Sequence, residues 1–186
     1  CGPELYTLVG RASESDVQGM GTDSERPEGA YGAAALLETR AVIRSGGIAA
    51  IKGIGGFHLC CDAGSEAAVQ RLRQLKARPM KPFAVMMRDR EVVGRECKLE
   101  PEMEPLLTGP QKPIILIPRH TGPADSKSAD SRIASSVAPD NPNLGVMLPY
   151  TPVHMLLFNY PDDEPISDVL VMTSGNPSGA PICMND

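Results

Sequence analysis

The chain has 186 residues, a formal net charge of −5, 41% hydrophobic residues and 22% charged residues. This balance is typical of one globular domain and argues against a disordered or fibrous chain. Its longest apolar runs are far shorter than the ~20 residues of a membrane-spanning helix, and five irregularly spaced Cys favour a reduced, cytoplasmic compartment.

The first ordered elements are predicted after a polar N-terminal region. Residues 10–32 are aperiodic and contain several Gly, which predicts a linker or long loop. An apolar face at helical spacing predicts a helix from Ala33 to about Ile43, which Gly46–Gly47 ends. The run IAAI at 48–51 predicts a short buried strand, followed by a Gly-rich turn over 52–59.

A second helix is predicted between Ser65, which suits the N-cap, and Lys76. The residues between them carry an apolar stripe formed by Ala68, Val69, Leu72 and Leu75. Pro79 and Pro82 prevent the helix from continuing.

The rest of the chain alternates apolar runs with helical patterns. The predicted elements are strands at 82–87, 113–117, 144–150 and 169–173, short helices at 90–97, 100–107 and 153–158, and a long loop at 119–143. This alternation predicts the α/β or α+β class.

Five cations and no acidic residue lie between Ala67 and Met87: Arg71, Arg73, Lys76, Arg78 and Lys81. We expect Arg71 and Arg73 to lie on a solvated helix face. The other three are held by the helix end and two prolines, and rigidly placed cations suit phosphate binding. The alternative is that the cations only complement the helix dipole and are solvated.

Two polar turns are further candidates, although both also suit ordinary turns. The glycines of residues 53–56 would let backbone amides approach a ligand, but neither a dinucleotide fingerprint nor a P-loop is present. TSGN at 173–176 follows a buried strand, where open α/β sheets often bind ligands. The histidines His58, His120 and His154 have no partner visible in the sequence, and a lone His is more often structural.

These motifs together carry a family resemblance. KARPMKPF at 76–83 resembles the K-x-R segment of the YrdC-like fold, and TSGN at 173–176 resembles its S-x-N segment. KGIGGFHLCCDA at 52–63 and LGVMLPYTPVHMLL at 144–157 are similar to the YrdC-like domain of the HypF family of hydrogenase-maturation carbamoyltransferases. The resemblance implies an α/β fold, namely a twisted open mixed sheet with flanking helices and a cationic concave site.

The resemblance also divides the chain. Residues 33–186 correspond to the YrdC-like domain, expected to be truncated at its C-terminal end. Residues 1–32 resemble the end of a zinc-finger-like region with a linker, in which Cys1 would bind Zn²⁺ only with partners upstream of this chain.

The implied reaction joins carbamate, derived from carbamoyl phosphate, to ATP with Mg²⁺ and gives carbamoyl-adenylate. Other domains of the same polypeptide would release the carbamate. They would then pass the carbamoyl group to the C-terminal cysteine of a partner protein for [NiFe]-hydrogenase maturation. An isolated module need not be active.

The resemblance assigns the phosphates to Lys76, Arg78 and Lys81, and the nucleotide to Ser174 and Asn176. The further candidates are Lys52 and His58 for carbamate, Thr173 and Lys112 for the nucleotide, and Thr151.

Three other functions stay open. They are threonylcarbamoyl-adenylate synthesis for tRNA modification, an O-carbamoyltransferase of secondary metabolism, and a module that binds double-stranded RNA through the cationic surface. Leu148 stands where the threonine-dependent family has Arg, which argues against the first. The acidic net charge and only seven Phe and Tyr argue against RNA binding.

Overall fold

The computed structural model describes residues 29–120, 131–162 and 164–176. The chain divides into two compact units, residues 1–41 and 42–186, and the division falls inside its first helix. In the described part of the first unit, the chain turns at Gly32, whose φ is 57°, and enters that helix. All the remaining elements belong to the second unit.

Among the described residues the structure forms five α-helices and six strands. The helices are α1 (Ala33–Arg44), α2 (Glu66–Leu75), α3 (Arg90–Glu96), α4 (Glu104–Thr108) and α5 (Pro152–Asn159). The strands are β1 (Ala49–Gly53), β2 (Gly56–Asp62), β3 (Ala84–Met87), β4 (Ile115–Pro118), β5 (Asn143–Met147) and β6 (Val169–Ser174). A 3-10 helix spans Ser135–Val137.

The strands form one open mixed sheet in the order β1-β2-β6-β3-β5-β4. Only β3 and β5 run parallel, and the other neighbours are antiparallel. The last residues of β1, β6 and β4 therefore share one edge with the first residues of β2, β3 and β5, and we call it the upper edge. The predicted open mixed α/β sheet is confirmed.

Apolar side chains are buried on both faces of the sheet, and the main core cluster lies on one of them. Alternate strand residues such as Val85 of β3 and Val171 of β6 are fully buried there, together with Leu72 of α2 and Val93 of α3. Because side chains alternate along a strand, Met86 and Met172 point to the other face. Packing on the first face fixes α2 against the sheet.

Helix α2 follows its sequence signals closely. The Ser65 hydroxyl oxygen accepts a hydrogen bond from the backbone N–H of Ala68 at 3.3 Å, which confirms the predicted N-cap. Lys76 is the C-cap, and Ala77 adopts the left-handed region with φ 45°. The chain therefore reverses direction immediately before Arg78.

Strand β2 is absent from the sequence predictions. The Gly-rich turn predicted over 52–59 is wrong, because Gly53 and Gly56 pair across a two-residue hairpin turn and β2 then runs on to Asp62. Gly56 has φ 123°, a conformation that L side chains rarely adopt. Glycines that signal a loose turn in the sequence instead form a tight hairpin.

The predicted loop over 119–143 is partly ordered in its described residues. Glu66, in the first turn of α2, accepts hydrogen bonds from the Ser135 hydroxyl at 3.3 Å and from both the backbone N–H and the hydroxyl of Ser136. These bonds, led by the Ser136 hydroxyl, lower the pKa of the Glu66 carboxyl. The 3-10 helix is therefore anchored to α2. No helix in the described parts of the chain combines the length and apolarity needed to cross a membrane.

Candidate functional site

The side chain of Lys76 lies at the end of β6. Its Nζ donates to the backbone oxygen of Ser174 at 2.6 Å and to the backbone oxygen of Asn176. Lys76 is only 7% exposed, so a positive charge is held at the upper edge with little water around it. The fold thus brings together the two predicted motif segments, although Lys76 and Ser174 are 98 residues apart in the chain.

The solvated position predicted for Arg73 is wrong. Arg73 is 7% exposed, and burial lowers the pKa of its guanidinium. It donates to five backbone oxygens, those of Ser136 (2.6 Å), Arg78 (2.7 Å), Pro79 (3.1 Å), Lys81 (3.2 Å) and Val137 (3.2 Å). The guanidinium thereby ties residues 78–82, which we call the cationic turn, to the 3-10 helix. Arg71 is exposed, as predicted.

Arg78 is held on its own turn. It donates from Nε to the backbone oxygen of Lys81 at 3.2 Å and from Nη2 to that of Pro82. Its guanidinium carbon lies 5.1 Å from the centroid of the Phe83 ring, and that of Arg73 lies 4.7 Å from the same centroid. Arg78 is half-buried, which lowers its pKa, whereas Lys81 is exposed. The turn is rigidly built, and the phosphate role of both residues stays a prediction.

His58 and Ser174 lie opposite each other in the β2–β6 pair, so their side chains share one face of the sheet. Lys52 pairs instead with Phe57, and its Nζ lies 5.4 Å from the centroid of that ring. Since side chains alternate along a strand, Lys52 projects from the other face. The structure thus places the two carbamate candidates on opposite faces, and their roles stay predictions.

His58 belongs to a cluster of three rings, of which the sequence prediction assigned only His58 to the site. The ring of His154 lies with its centroid 4.6 Å from that of Tyr150 and 6.4 Å from that of His58, in edge-on arrangements. We call these three residues the histidine cluster. Its one sequence signal is the family-like stretch at 144–157, which carries Tyr150 and His154.

Within the histidine cluster His154 is buried, His58 and Tyr150 are half-buried, and both imidazoles are uncharged at neutral pH. His154 is fully buried, and burial, with a contribution from His58, lowers its pKa from 6.5 to about 4. Burial also lowers the pKa of His58. Desolvation raises the pKa of the Tyr150 phenol, which therefore stays protonated and can donate a hydrogen bond.

The other predicted residues occupy varied positions. Thr151 caps α5 by accepting from the backbone N–H of His154 at 3.2 Å, and Thr173 is 6% exposed within β6. Lys112 precedes β4, away from the upper edge, and donates to the backbone oxygen of Thr108 at 3.0 Å. Cys1 lies outside the described residues.

A pocket of about 330 Å³ lies beside the cationic turn. It is lined by Arg119, Ser135, Ser136, Ala138, Pro139, Asp140 and Asn141. Ser136 links it to the turn, because its backbone oxygen accepts from Arg73. The upper edge thus combines a polar pocket, a rigid cationic turn and the strand end that carries Ser174.

Comparison with known proteins decides the family. A family model for Sua5, YciO and YrdC proteins, described as telomere recombination, matches residues 41–186. The chain belongs to the Sua5/YciO/YrdC family. This YrdC-like chain is 41% identical over 181 residues to the carbamoyltransferase HypF of Rhodobacter capsulatus, covering 97% of the chain and 20% of that relative.

Solved structures agree with this assignment. A full-length HypF in a phosphate- and nucleotide-bound form is 44% identical, with a TM-score of 0.70, over 82% of the YrdC-like chain and 22% of that structure. Sua5 of P. abyssi complexed with L-threonine is 19% identical, with a TM-score of 0.65, over 80% of the chain and 41% of that structure. This second similarity shows the fold alone.

The chain therefore spans about a fifth of the HypF relatives that it matches. The predicted resemblance to the YrdC-like domain of HypF is confirmed, and the names of these relatives support a carbamoyltransferase family. The predictions of a zinc finger and of double-stranded RNA binding gain no support from these comparisons.

Proposed function

We propose that this YrdC-like domain forms carbamoyl-adenylate from ATP and carbamate as a module of a HypF-type carbamoyltransferase. The observation that carries the proposal is the buried ammonium of Lys76, which joins the K-x-R segment to the strand end bearing Ser174 and Asn176. The similarity to HypF proteins favours carbamate over threonine as the acyl substrate. Leu148, 8% exposed and apolar, stands where the threonine-dependent family has Arg.

The proposed step is an in-line displacement at phosphorus. A carboxylate oxygen of carbamate forms a bond to the α-phosphorus of ATP, and the bond from that phosphorus to the bridging oxygen of the β-phosphate breaks. The electron pair leaves with pyrophosphate, and carbamoyl-adenylate remains. Carbamate is already an anion, so no general base is required. The site must instead offset the repulsion between two anions.

The cations of the upper edge suit that task because they are fixed before the substrate arrives. Lys76 is held at the strand end, and Arg78 is held on a turn that Arg73 ties to the 3-10 helix. We assign the phosphates to Lys76, Arg78 and Lys81, and positioning of the nucleotide to Ser174 and Asn176. The pocket beside the turn offers room for the nucleoside.

Mg²⁺ enters this proposal as a companion of the nucleotide. In the described ranges no group of three or more His, Cys, Asp or Glu side chains is placed to hold a metal ion. We assign the phosphate oxygens of ATP as ligands of Mg²⁺. The ion would neutralise part of the phosphate charge, and the fixed cations would stabilise the remainder.

The proposal also requires, outside this chain, a source of carbamate and an acceptor for the carbamoyl group. Other domains of the same polypeptide would release carbamate from carbamoyl phosphate, and the carbamoyl group would pass to the C-terminal cysteine of a hydrogenase-maturation partner. Carbamate decomposes in water, so a site closed to solvent would protect it.

The test is exchange of labelled pyrophosphate into ATP, measured in the longest natural polypeptide that contains this chain. Exchange is expected to depend on carbamoyl phosphate. Lys76→Met should lower it about 10²-fold, because a placed donor is lost at the transition state. Arg71→Met removes the same charge from an exposed position on helix α2, which Lys76 caps, and should leave the rate within about twofold.

Two results would contradict the proposal. One is exchange driven by threonine and bicarbonate but not by carbamoyl phosphate, which would favour threonylcarbamoyl-adenylate synthesis. The other is full activity of both Lys76→Met and Arg78→Ala, which would show that neither Lys76 nor the cationic turn belongs to the site.

A further inference from the structure

The histidine cluster contains polar atoms that the fold leaves unsatisfied. In the described parts of the chain, Nδ1 and Nε2 of His154 and Nδ1 of His58 are buried and have no hydrogen-bond partner. Buried polar side-chain atoms are nearly always paired, because a lost hydrogen bond to water must be replaced. His154 itself is 0% exposed. Three unsatisfied nitrogens in one cluster therefore indicate a place for a polar ligand.

The backbone of the β1–β2 hairpin approaches this cluster closely. A Cβ atom added to Gly53 would lie 3.3 Å from Nδ1 of His58 and 3.4 Å from the Tyr150 hydroxyl oxygen. A side chain at position 53 would thus crowd the two polar groups. Glycine at position 53 therefore lets the backbone of the hairpin lie close to His58 and Tyr150.

The cluster also adjoins the proposed reaction site. His58 lies opposite Ser174 in the β2–β6 pair, and the backbone oxygen of Ser174 accepts from Lys76. A ligand that contacts His58 from the cluster side is therefore one strand away from the cation assigned to the phosphates.

The chemistry of the cluster matches a carbamoyl group. A neutral imidazole has one N–H donor and one bare nitrogen that accepts, and a protonated phenol can do both. A carbamoyl group carries an amino group with two N–H donors and a carbonyl oxygen that accepts. An acetyl group has the same size and shape but no donor.

We propose that the histidine cluster binds the carbamoyl group, and that a bare nitrogen of His154 accepts a hydrogen bond from its amino group. His154 then selects carbamoyl over acyl groups that lack an amino donor, and Tyr150 and His58 orient the carbonyl end. This inference rests on the proposed function and adds the residues that recognise its acyl substrate.

The test uses two stable mimics of an acyl-adenylate, which differ only in an amino or a methyl group at the acyl end. They are 5′-O-(N-carbamoylsulfamoyl)adenosine and 5′-O-(N-acetylsulfamoyl)adenosine. Their Kd values, and that of ATP, are measured by calorimetry on the longest natural polypeptide that contains this chain. The wild type should bind the carbamoyl mimic at least tenfold more tightly than the acetyl mimic.

His154→Phe keeps the ring and removes both nitrogens, so it should abolish this preference and leave the Kd of ATP within about twofold. His154→Gln restores one donor and one acceptor and should recover part of the preference, which a purely structural role would not produce. His120→Phe is the matched control, since His120 lies at the end of β4, near Gly94, and should retain the full preference.

Two outcomes separate the subsite from the proposed function. The subsite is wrong, while adenylation stands, in either of two cases. In the first, the wild type binds ATP and has the same Kd for the two mimics. In the second, His154→Phe retains the preference for the carbamoyl mimic. If the wild type binds neither ATP nor either mimic, the proposed function fails and the subsite fails with it. If His154→Phe does not fold, Tyr150→Phe tests the subsite instead. Loss of the hydroxyl should raise the Kd of the carbamoyl mimic at least threefold, and an unchanged Kd would contradict the subsite.

Discussion

The buried guanidinium of Arg73 should be a main support of the cationic turn, and Arg73→Lys tests this role. The substitution keeps the positive charge and most of the aliphatic stem. The planar guanidinium of Arg73, which has five N–H groups, donates to five backbone oxygens of the cationic turn and the 3-10 helix, three of them from Nη1. A lysine ammonium has three N–H groups at a single point.

The expected loss follows from that difference. At least two of the five hydrogen bonds made by the guanidinium are lost in Arg73→Lys. A hydrogen bond to a charged group contributes ~1.5–3 kcal/mol, and the residue is 7% exposed, so water replaces the lost bonds only in part. The free energy of unfolding should fall by about 3 kcal/mol.

Urea denaturation followed by circular dichroism at 222 nm measures this loss. Arg71→Lys is the matched control, since Arg71 lies on the same helix, is exposed and should change the unfolding free energy by less than about 0.5 kcal/mol. Equal midpoints for Arg73→Lys and the wild type would show that the guanidinium does not hold the turn.

Three further outcomes are expected. His154 is charged below pH 6.5 in the unfolded chain but only below about 4 in the folded chain, so the unfolding free energy should fall by about 3 kcal/mol between pH 7 and pH 4. Urea titrations at several pH values should show that the unfolding free energy of His154→Phe falls less between pH 7 and pH 4 than that of the wild type. An equal fall in both proteins would contradict this. Gly47→Ala should lower the free energy of unfolding by about 2 kcal/mol, because the added Cβ would lie 2.7 Å from the Val42 backbone oxygen. Thermal unfolding measures this effect, and an unchanged Tm would contradict it. Lys76→Met should raise the Kd of ATP at least tenfold in calorimetry, whereas Arg71→Met should leave it unchanged. Equal Kd values for the two variants would show that Lys76 does not bind the phosphates.

Helix α2 was predictable because its signals are local. Ser65 caps a helix whose apolar stripe and following prolines are all visible within twenty residues of sequence. Strand β2 was not, because its identity depends on pairing with β1 and β6, and the glycines at its start suggest a loop when read alone. Pairing between distant segments is a property of the fold and leaves no local pattern.

The candidate site, like the fold, was predictable from the sequence only where its signals are local or belong to a family motif. The rigidity of the cationic turn was predictable from Pro79 and Pro82, and the closeness of Lys76 to Ser174 followed from two family motifs. The burial of Arg73 was hidden, because its acceptors include backbone oxygens of residues 136 and 137, which carry no side-chain signal. The meeting of His58 with His154 was hidden for a related reason, since neither residue has a partner near it in the sequence.

The most direct test of the account is the identity of the nucleotide product. The longest natural polypeptide that contains this chain is incubated with carbamoyl phosphate, Mg²⁺ and ATP labelled at the α-phosphorus. Attack at that phosphorus predicts that the label appears in carbamoyl-adenylate and AMP, with unlabelled pyrophosphate in equal amount, and that Lys76→Met suppresses both products. Label that appears in ADP, with release of inorganic phosphate from ATP, would contradict adenylation and with it the central claim about this site.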